Sequence, residues 1–276
     1  METGIPVLKV TGEGLPVAWE GSIAKLLMDG KDAPSQYDRP GDPLTKDCTM
    51  ICETVNPLKE PMIHGFMPGG PGDLEEYCME VLDGVKNHWL RNPDDPEDTR
   101  WSYTYHGRLC NDFGVNQVYE MCDKLKGQPF SRQVQATTWM PASDPNDYDP
   151  PCLQRLWCRI LRNPETGKLE FTAHVFFRSR DALKAAFMNA FAFVRLFDEQ
   201  IRRPVESYLG EEVIFAKFVD FSDSYHIYGK DFKDLVAFNK QVGHYYTYRG
   251  DWDGIMEEYR PEIMEKIAAQ DKKHGG

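Results

Sequence analysis

Two apolar segments joined by a short turn, and the apolar helix that follows them, constrain the fold of this chain most. Residues Leu153 to Leu161 and Leu169 to Arg178 have the pattern of strands, and the Asn-Pro-Glu-Thr-Gly turn at 163–167 predicts that they form an antiparallel hairpin. Residues Ala182 to Ile201 are apolar at nearly every helical turn, which indicates a helix buried on most sides. We therefore expect this helix to lie at the centre of the fold.

The other segments predict further strands and helices around this centre. Strands are expected after Val7, at Thr49 to Val55, at Gln133 to Trp139 and at Val213 to Val219. Helices are expected up to Asp29, from Leu74 to Trp89, from Val115 to Lys126 and over most of the tail after Asp231, with loops at Lys31 to Asp47 and Asn92 to Thr99. Because no repeat or linker-like composition divides the sequence, residues 1–276 are expected to form a single α+β domain.

Charge and cysteine content exclude several classes of protein. The net charge of −12 disfavours binding to nucleic acid or to an anionic membrane surface, and no apolar run is long enough to span a bilayer. The N-terminal residues lack the pattern of a secretory signal, so a cytoplasmic location is expected. The seven cysteines form no CxxC pair, which predicts neither a disulfide framework nor a metal site.

The local feature with the clearest chemical meaning is a cysteine directly after two prolines, in Asp149-Pro150-Pro151-Cys152. The rigid diproline at the start of a strand would hold the thiol in a fixed position, as a nucleophile requires. A buried structural cysteine after a proline turn has the same local sequence.

Three further clusters have both a binding and a structural interpretation. Arg178 and Ser179 stand where a strand passes into a helix, so they could bind a phosphate, or Ser179 could cap the helix. Asn189 is a polar residue flanked by Met188, Ala190 and Phe191 in the apolar helix, and it could bond to backbone or to the edge of a flat heterocycle. His226 and Tyr228 alternate on one side of an extended segment, where they could bind a hydroxyl group or simply pack.

The order of these motifs resembles that of the thymidylate synthase superfamily. An Arg-Ser-x-Asp motif follows the cysteine by 26 residues, an asparagine lies eight residues after its aspartate, and a His-x-Tyr motif comes later. The segments that carry the likeness are YTYHGRL, SRQVQATTW, DPPCLQRLW, FRSRD, AFMNAFAF and SYHIYG. They look most like the divergent branch of archaea and some bacteria, near the pyrimidine nucleotide hydroxymethylases, and the resemblance extends from Leu8 to Lys230.

The resemblance implies a nucleophile and a set of phosphate ligands. Cys152 would add to C6 of a pyrimidine nucleotide, and Arg178 would contact both this cysteine and the nucleotide phosphate. Ser179 would bind the same phosphate, together with Arg39 from a mobile loop and Arg132 lent across a dimer interface. The resemblance also implies a large mixed sheet with flanking helices, a homodimer, and 5,10-methylenetetrahydrofolate or a related pterin as cofactor.

The residues implied near the base and sugar complete the site. Asp181 and Asn189 would lie near the base, and an amide at 189 favours uracil modestly because it can donate to O4 and accept from N3–H. The sugar hydroxyl would be bound by His226 and Tyr228. Glu80 would be the general acid and base, with Glu76 as the alternative one helical turn away, and Tyr105 would assist removal of the C5 proton.

Several positions depart from the main family. Phe177 replaces a glutamine, Gln133 replaces the second arginine of a pair, and Ser224 replaces an aspartate. The chain also ends in a polar sequence, residues 270–276, where the main family has an apolar tail that excludes water. Because water at the C5 methylene gives a hydroxymethyl group, two functions follow: conversion of dUMP to dTMP, or 5-hydroxymethylation of dUMP, dCMP or CMP. A catalytically silent nucleotide-binding or RNA-binding relative is the third interpretation.

Overall fold

A seven-stranded mixed sheet is the frame of the molecule, which a computed structural model describes for residues 4–67, 69–92, 94–95, 97–248 and 252–273. The strands are β1 (Val7–Glu13), β2 (Lys31–Ala33), β3 (Thr45–Val55), β4 (Ile63–His64), β5 (Gln135–Thr137), β6 (Leu153–Arg162), β7 (Leu169–Asp181), β8 (Val213–Ile227) and β9 (Tyr245–Tyr246). The order across the sheet is β1-β3-β8-β7-β6-β5, with β2 beside β3, while β4 and β9 form a separate pair. The pairs β1/β3 and β7/β8 are parallel, and the other neighbours are antiparallel.

Eight α-helices flank this sheet in the described part of the chain. They are α1 (Leu15–Asp29), α2 (Pro71–Asp83), α3 (Tyr105–Cys110), α4 (Gln117–Gly127), α5 (Ala186–Leu196), α6 (Arg203–Leu209), α7 (Leu235–Lys240) and α8 (Trp252–Lys273). A π-helical segment, Phe197–Arg202, continues α5 into α6. None of the helices in the described ranges combines the length and the apolar character that crossing a membrane requires.

The hairpin and the buried helix are confirmed, and they form the core together. On β7, alternate side chains from Leu169 to Phe177 are buried, as the period of two predicts. Phe171 contacts Phe197, and Phe177 contacts Phe193 edge-on, so this face of the sheet packs against α5 and the π-helical segment. The fold is thus the predicted α+β arrangement of a large mixed sheet with flanking helices.

Some predicted element boundaries were wrong. The helix expected to reach Trp89 ends at Asp83, because Gly84 takes a left-handed conformation (φ 66°) that terminates it. The segment expected to be a loop from Lys31 contains β2 and the first residues of β3. The polar end of the chain is helical up to Lys273, and residues 274–276 lie outside the described ranges, as do residues 93 and 96 of the expected turn.

A buried ion pair joins the end of β7 to the middle of the neighbouring parallel strand β8. Arg180 Nη2 lies 2.6 Å from Asp220 Oδ1, and both side chains are almost fully buried. The guanidinium of Arg180 also stacks over the rings of Phe177 and Tyr225. Since Ser179 and Asp181 flank this arginine, the ion pair holds in place the strand end on which these two residues lie.

Candidate functional site

Four of the candidate residues meet where β6 begins and where β7 and β8 end. The backbone N–H of Arg178 donates to the carbonyl of Cys152 at 2.9 Å, which joins the start of β6 to the end of β7. Asp181 lies opposite His226 in the pairing of β7 with β8. The antiparallel hairpin and the parallel pair therefore bring residues that are distant in sequence together at one end of neighbouring strands.

Arg178 anchors the backbone that precedes the cysteine. Its Nε donates to the carbonyl of Pro151 at 3.0 Å, and its Nη2 donates to that of Pro150 at 2.6 Å. Burial raises the pKa of the Cys152 thiol, while the positive charge of Arg178 opposes this shift. The backbone on either side of the thiol is thus held in place, and the pKa of the thiol is raised overall.

Two tyrosines line the other side of Cys152. The hydroxyl of Tyr105 accepts from the backbone N–H of Leu153 at 3.3 Å. Tyr103, whose ring centroid lies 5.7 Å from that of Tyr105, hydrogen-bonds to the backbone of Cys152. Burial raises the pKa of both tyrosines well above the ordinary value, so both hydroxyls keep their protons. The sequence motif identified Tyr105, whereas Tyr103 could have been found from its position two residues earlier in the same alternating segment.

Glu80 and Glu76 have different surroundings, although both lie on α2. Glu76 is bound by Lys86 at 2.5 Å and by Lys266 of α8 at 2.6 Å. Burial alone raises the pKa of Glu76, but the two lysines outweigh it and lower the pKa overall. Burial raises the pKa of Glu80 to about 7, with Lys86 at 3.7 Å opposing the shift. Of these two glutamates, Glu80 is therefore the one whose pKa lies near neutral pH.

A cavity of about 460 Å³ opens beside Glu80 and the two tyrosines. Its volume is in the range of sites for small organic molecules. Aromatic side chains and charged groups line it together: Glu80, Arg91, Asp98, Arg100, Trp101, Tyr103, Tyr105, Tyr148 and Asp149. A flat heterocycle could stack in this cavity while its polar edge meets charged or hydrogen-bonding groups.

Asn189 is held by a tyrosine that the sequence did not reveal as a site residue. Its Nδ2 donates to the hydroxyl of Tyr77 on α2 at 2.6 Å. Tyr77 is partly buried and lies close enough to Glu80 for that carboxylate to contribute, after burial itself, to its raised pKa. Among the residues that the structure describes, no other side-chain hydrogen bond is made by Asn189, and an amide with a free oxygen and N–H is the combination that can bind both O4 and N3–H of uracil.

The sugar-side candidates lie together at the end of β8. The rings of His226 and Tyr228 are 4.6 Å apart, and Ser224 bonds both His226 and Asp47 of β3. Asp181 Oδ1 accepts two backbone N–H groups, from Leu183 and Lys184, so this oxygen shapes the turn before α5. Ser179 lies opposite Ser224 of the neighbouring strand β8. Its side chain is partly exposed, so a ligand at this end of the strands could reach it.

Arg39 and Arg132, the two other arginines expected at the phosphate, lie at different distances from the strand ends that carry Cys152 and His226. Arg39 is exposed in the loop before β3, and this loop rests on the end of β8 through contact of Tyr37 with Tyr228. Arg132 is also exposed, and its carbonyl accepts from the indole of Trp157, which lies five residues beyond Cys152 along β6. At 3.3 Å per residue, that separation is roughly 16 Å. The fold therefore brings the loop of Arg39 to its own site but leaves Arg132 distant from it.

In the residues that the structure describes, no group of three or more His, Cys, Asp or Glu side chains could hold a metal ion.

Comparisons with known proteins bear on the family and the fold of this chain. No family model matches the chain. A protein of Methanocaldococcus jannaschii named "Putative thymidylate synthase" is 31% identical over 221 residues, which are 76% of this chain and 86% of that protein. A protein of the same name from Methanothermobacter marburgensis is 34% identical over 246 residues, 82% of this chain and 95% of the relative. Among solved structures, thermostable thymidylate synthase A from Bacillus subtilis has the same fold with a TM-score of 0.55, covering 79% of this chain and 81% of that one at 17% identity.

Proposed function

Because this chain belongs to the thymidylate synthase family, we propose that it transfers one carbon from 5,10-methylenetetrahydrofolate to C5 of dUMP and releases dTMP. The observation that carries the proposal is the position of Cys152. Its backbone is tied to Arg178, and it lies between the tyrosines beside Glu80 and the strand ends that carry Asp181 and His226.

Cys152 is the proposed nucleophile that adds to C6 of the pyrimidine. Because the pKa of this thiol is raised, the thiolate is a minor form before attack. When a substrate phosphate binds near Arg178, the guanidinium would interact with both the thiolate and the phosphate. Nε and Nη2 of Arg178 are used by the proline carbonyls, so Nη1 is directed to the phosphate in this proposal. Ser179 and the loop arginine Arg39 would complete the phosphate site.

Glu80 is the proposed acid and base. A buried carboxyl group with a pKa of about 7 can give a proton toward O4 as the C5 carbanion forms and can take one back later. Tyr105, which bonds the backbone next to Cys152, would orient the group that removes the C5 proton, and Asp181 would support the base from the opposite strand end.

The cavity beside Glu80 fits a reduced pterin in size and lining. Trp101, Tyr103 and Tyr148 offer aromatic faces, and Arg91 and Arg100 offer charge at its rim. When bound, methylenetetrahydrofolate supplies the methylene carbon and the hydride that reduces it. The chain's own contribution is to hold the pterin against Glu80 and to limit the access of water.

A homodimer would complete the phosphate site. The sheet face opposite the core carries partly buried aromatic groups, including the stacked pair Phe176 and Phe221 and the pair Trp157 and His174. A second copy packed on this face would bury them, and a two-fold axis would exchange equivalent residues between the two sites. Arg132, which is distant from its own Cys152, would then reach the phosphate of the partner.

Mixed dimers test this sharing. A Cys152→Ala chain and an Arg132→Ala chain should each be nearly inactive, because each homodimer lacks one group at both sites. A mixed dimer should recover about half of the wild-type dimer's activity, since one of its two sites has both groups. An Arg162→Ala chain, altered at an exposed arginine at the far end of β6, is the control and should remain active alone. Activity that stays at the parental level after mixing would exclude the lent arginine.

Hydroxymethylation remains the second candidate for a specific reason. Besides its aromatic walls, the cavity beside Glu80 is lined by the charged and polar residues Asp98, Thr99, Ser102 and Asp149. Such a lining can retain a water molecule near the C5 methylene, and water there gives a hydroxymethyl group.

Product analysis separates the two reactions. The chain is incubated with dUMP, UMP, dCMP or CMP and methylenetetrahydrofolate, and the nucleotides are analysed by mass spectrometry while dihydrofolate is followed spectrophotometrically. We expect dUMP to gain a methyl group with one dihydrofolate formed per product. A product that is heavier by one oxygen, formed without dihydrofolate, would establish the hydroxymethylase instead.

A further inference from the structure

A hydrogen-bonded series links β3 to the histidine at the end of β8. Ser224 Oγ lies 3.0 and 3.1 Å from the two carboxylate oxygens of Asp47, and 3.2 Å from Nδ1 of His226. Asp47 and His226 are directly opposite in the antiparallel pairing of the two strands. The histidine is 6% exposed, so the partners of its ring nitrogens are set by the protein.

The series determines which ring nitrogen carries the proton. Burial raises the pKa of Asp47, and the hydrogen bond from Ser224 opposes this shift. In its ionised form Asp47 can only accept, so the Ser224 hydroxyl gives its single proton to that carboxylate and its oxygen must accept from His226. The backbone of Ser224 also hydrogen-bonds the imidazole of His226, and this bond by itself raises the pKa of the ring. Burial lowers the pKa of His226, so the ring is neutral at pH 7 and has one N–H, at Nδ1. Nε2 then has a lone pair and can only accept.

We propose that Asp47 is a positioning residue for the nucleotide sugar: through Ser224 it fixes the Nδ1–H tautomer of His226, so that Nε2 accepts from the sugar 3′-hydroxyl. This inference rests on the proposed function, because in dUMP the 3′-hydroxyl is the one unsubstituted hydroxyl of the sugar. Tyr228, whose ring lies against His226, is close enough to Cys152 and Asp181 for their charges to raise its pKa, which puts the histidine beside the same site.

Replacement of the carboxylate removes the constraint without removing the histidine. In Asp47→Asn the amide offers a donor as well as an acceptor, so Ser224 can turn its proton toward Nδ1 and the proton of the ring can move to Nε2. A protonated Nε2 cannot accept from the 3′-hydroxyl, and it could only donate to that oxygen if the sugar hydroxyl turned its own proton to another acceptor. The expected result is about a tenfold weaker affinity for dUMP, the size of one lost hydrogen bond, with kcat changed much less.

The test compares two nucleotides on each protein by calorimetry. Wild type should bind dUMP about tenfold more tightly than 2′,3′-dideoxyuridine monophosphate, which lacks the 3′-hydroxyl, and Asp47→Asn should bind the two almost equally. Ser224→Ala should lose the same discrimination, and Asp32→Asn, altered in an exposed ion pair on β2, should keep it. A ¹⁵N spectrum of wild type should also show His226 protonated at Nδ1.

The outcomes separate this inference from the proposed function. If Asp47→Asn and Ser224→Ala weaken binding of both nucleotides by the same factor, the role is structural and the inference is overturned. Protonation of His226 at Nε2 in wild type would overturn it independently of how well the variants fold. A wild-type chain that binds neither nucleotide would instead overturn the proposed function, and this inference with it.

Discussion

Cys152→Ala is expected to abolish product formation, with a loss of about 10³-fold or more in turnover. The thiol is the group that forms the bond to C6, and without that bond no carbanion develops at C5 to take up the one-carbon unit. Exchange of the C5 hydrogen of dUMP with solvent should stop as well, because this exchange also requires addition at C6. Turnover and C5 exchange are measured on the same protein samples.

The matched control is Cys110→Ala. Cys110 and Cys152 are the two cysteines that are partly exposed, whereas the other five are buried. Cys110 lies on α3, and loss of its thiol should leave turnover within about threefold of wild type, since this partly buried side chain has no role in the proposed chemistry. Retention of C5 exchange by Cys152→Ala would show that another group adds to the base.

Glu80→Gln is expected to lower kcat by about 10²-fold to 10⁴-fold, the usual contribution of a general acid and base. Glutamine has nearly the shape of the carboxylic acid and can donate a hydrogen bond, but it cannot release a proton. Binding of dUMP should change little, because the phosphate and sugar groups are untouched. The measurement is kcat and KM for dUMP at saturating methylenetetrahydrofolate.

The pH profile gives this prediction a second readout. The proposed reactive form has a Cys152 thiolate and a protonated Glu80, and burial raises both pKa values, that of Glu80 to about 7. Since Glu80 ionises at lower pH than the thiol, this form is a minor one. Its population rises up to about pH 7 and is then level until the thiol ionises. In Glu80→Gln the level region should vanish, and kcat/KM should keep rising above pH 7 with the thiolate population.

Glu76→Gln is the control on the same helix. Its carboxylate is committed to Lys86 and Lys266, so its loss should cost less than about tenfold in kcat. Because the negative charge of Glu76 contributes to the raised pKa of Glu80, removing it should move the rising part of the profile to lower pH. Two results would assign the acid and base to Glu76 instead. One is a kcat/KM profile of Glu80→Gln that stays level above pH 7, and the other is disappearance of the level region from the profile of Glu76→Gln.

The central part of the fold could be predicted from the sequence because its signals are local. The alternation of β7 and the apolar turns of α5 report directly which side chains are buried, and the turn at 163–167 connects neighbours in sequence. The end of α2 was harder, since Val85 continues its apolar pattern and Gly84 alone ends the helix. The order of strands across the sheet, with β3 beside β8, depends on contacts between distant segments that no local pattern reports.

The same distinction applies to the site. Cys152, Arg178 and Tyr105 stand in segments whose resemblance to the family is local. Asp47 and Tyr77 could not be found this way, because Asp47 contacts Ser224 across 177 residues of sequence and Tyr77 contacts Asn189 across 112. In the sequence, Ser224 stands where the main family has an aspartate. In the structure, Asp47 of the neighbouring strand β3 places a carboxylate beside Ser224.

The most direct measurement is the mass and location of a covalent adduct formed with 5-fluoro-dUMP and methylenetetrahydrofolate. Fluorine at C5 cannot leave as a proton does, so the bond between the enzyme and C6 should persist after the carbon is transferred. We expect one nucleotide and one folate per chain in the intact mass, and after digestion we expect both on the peptide that contains Cys152. Absence of an adduct, or an adduct on another cysteine, would contradict the proposed mechanism.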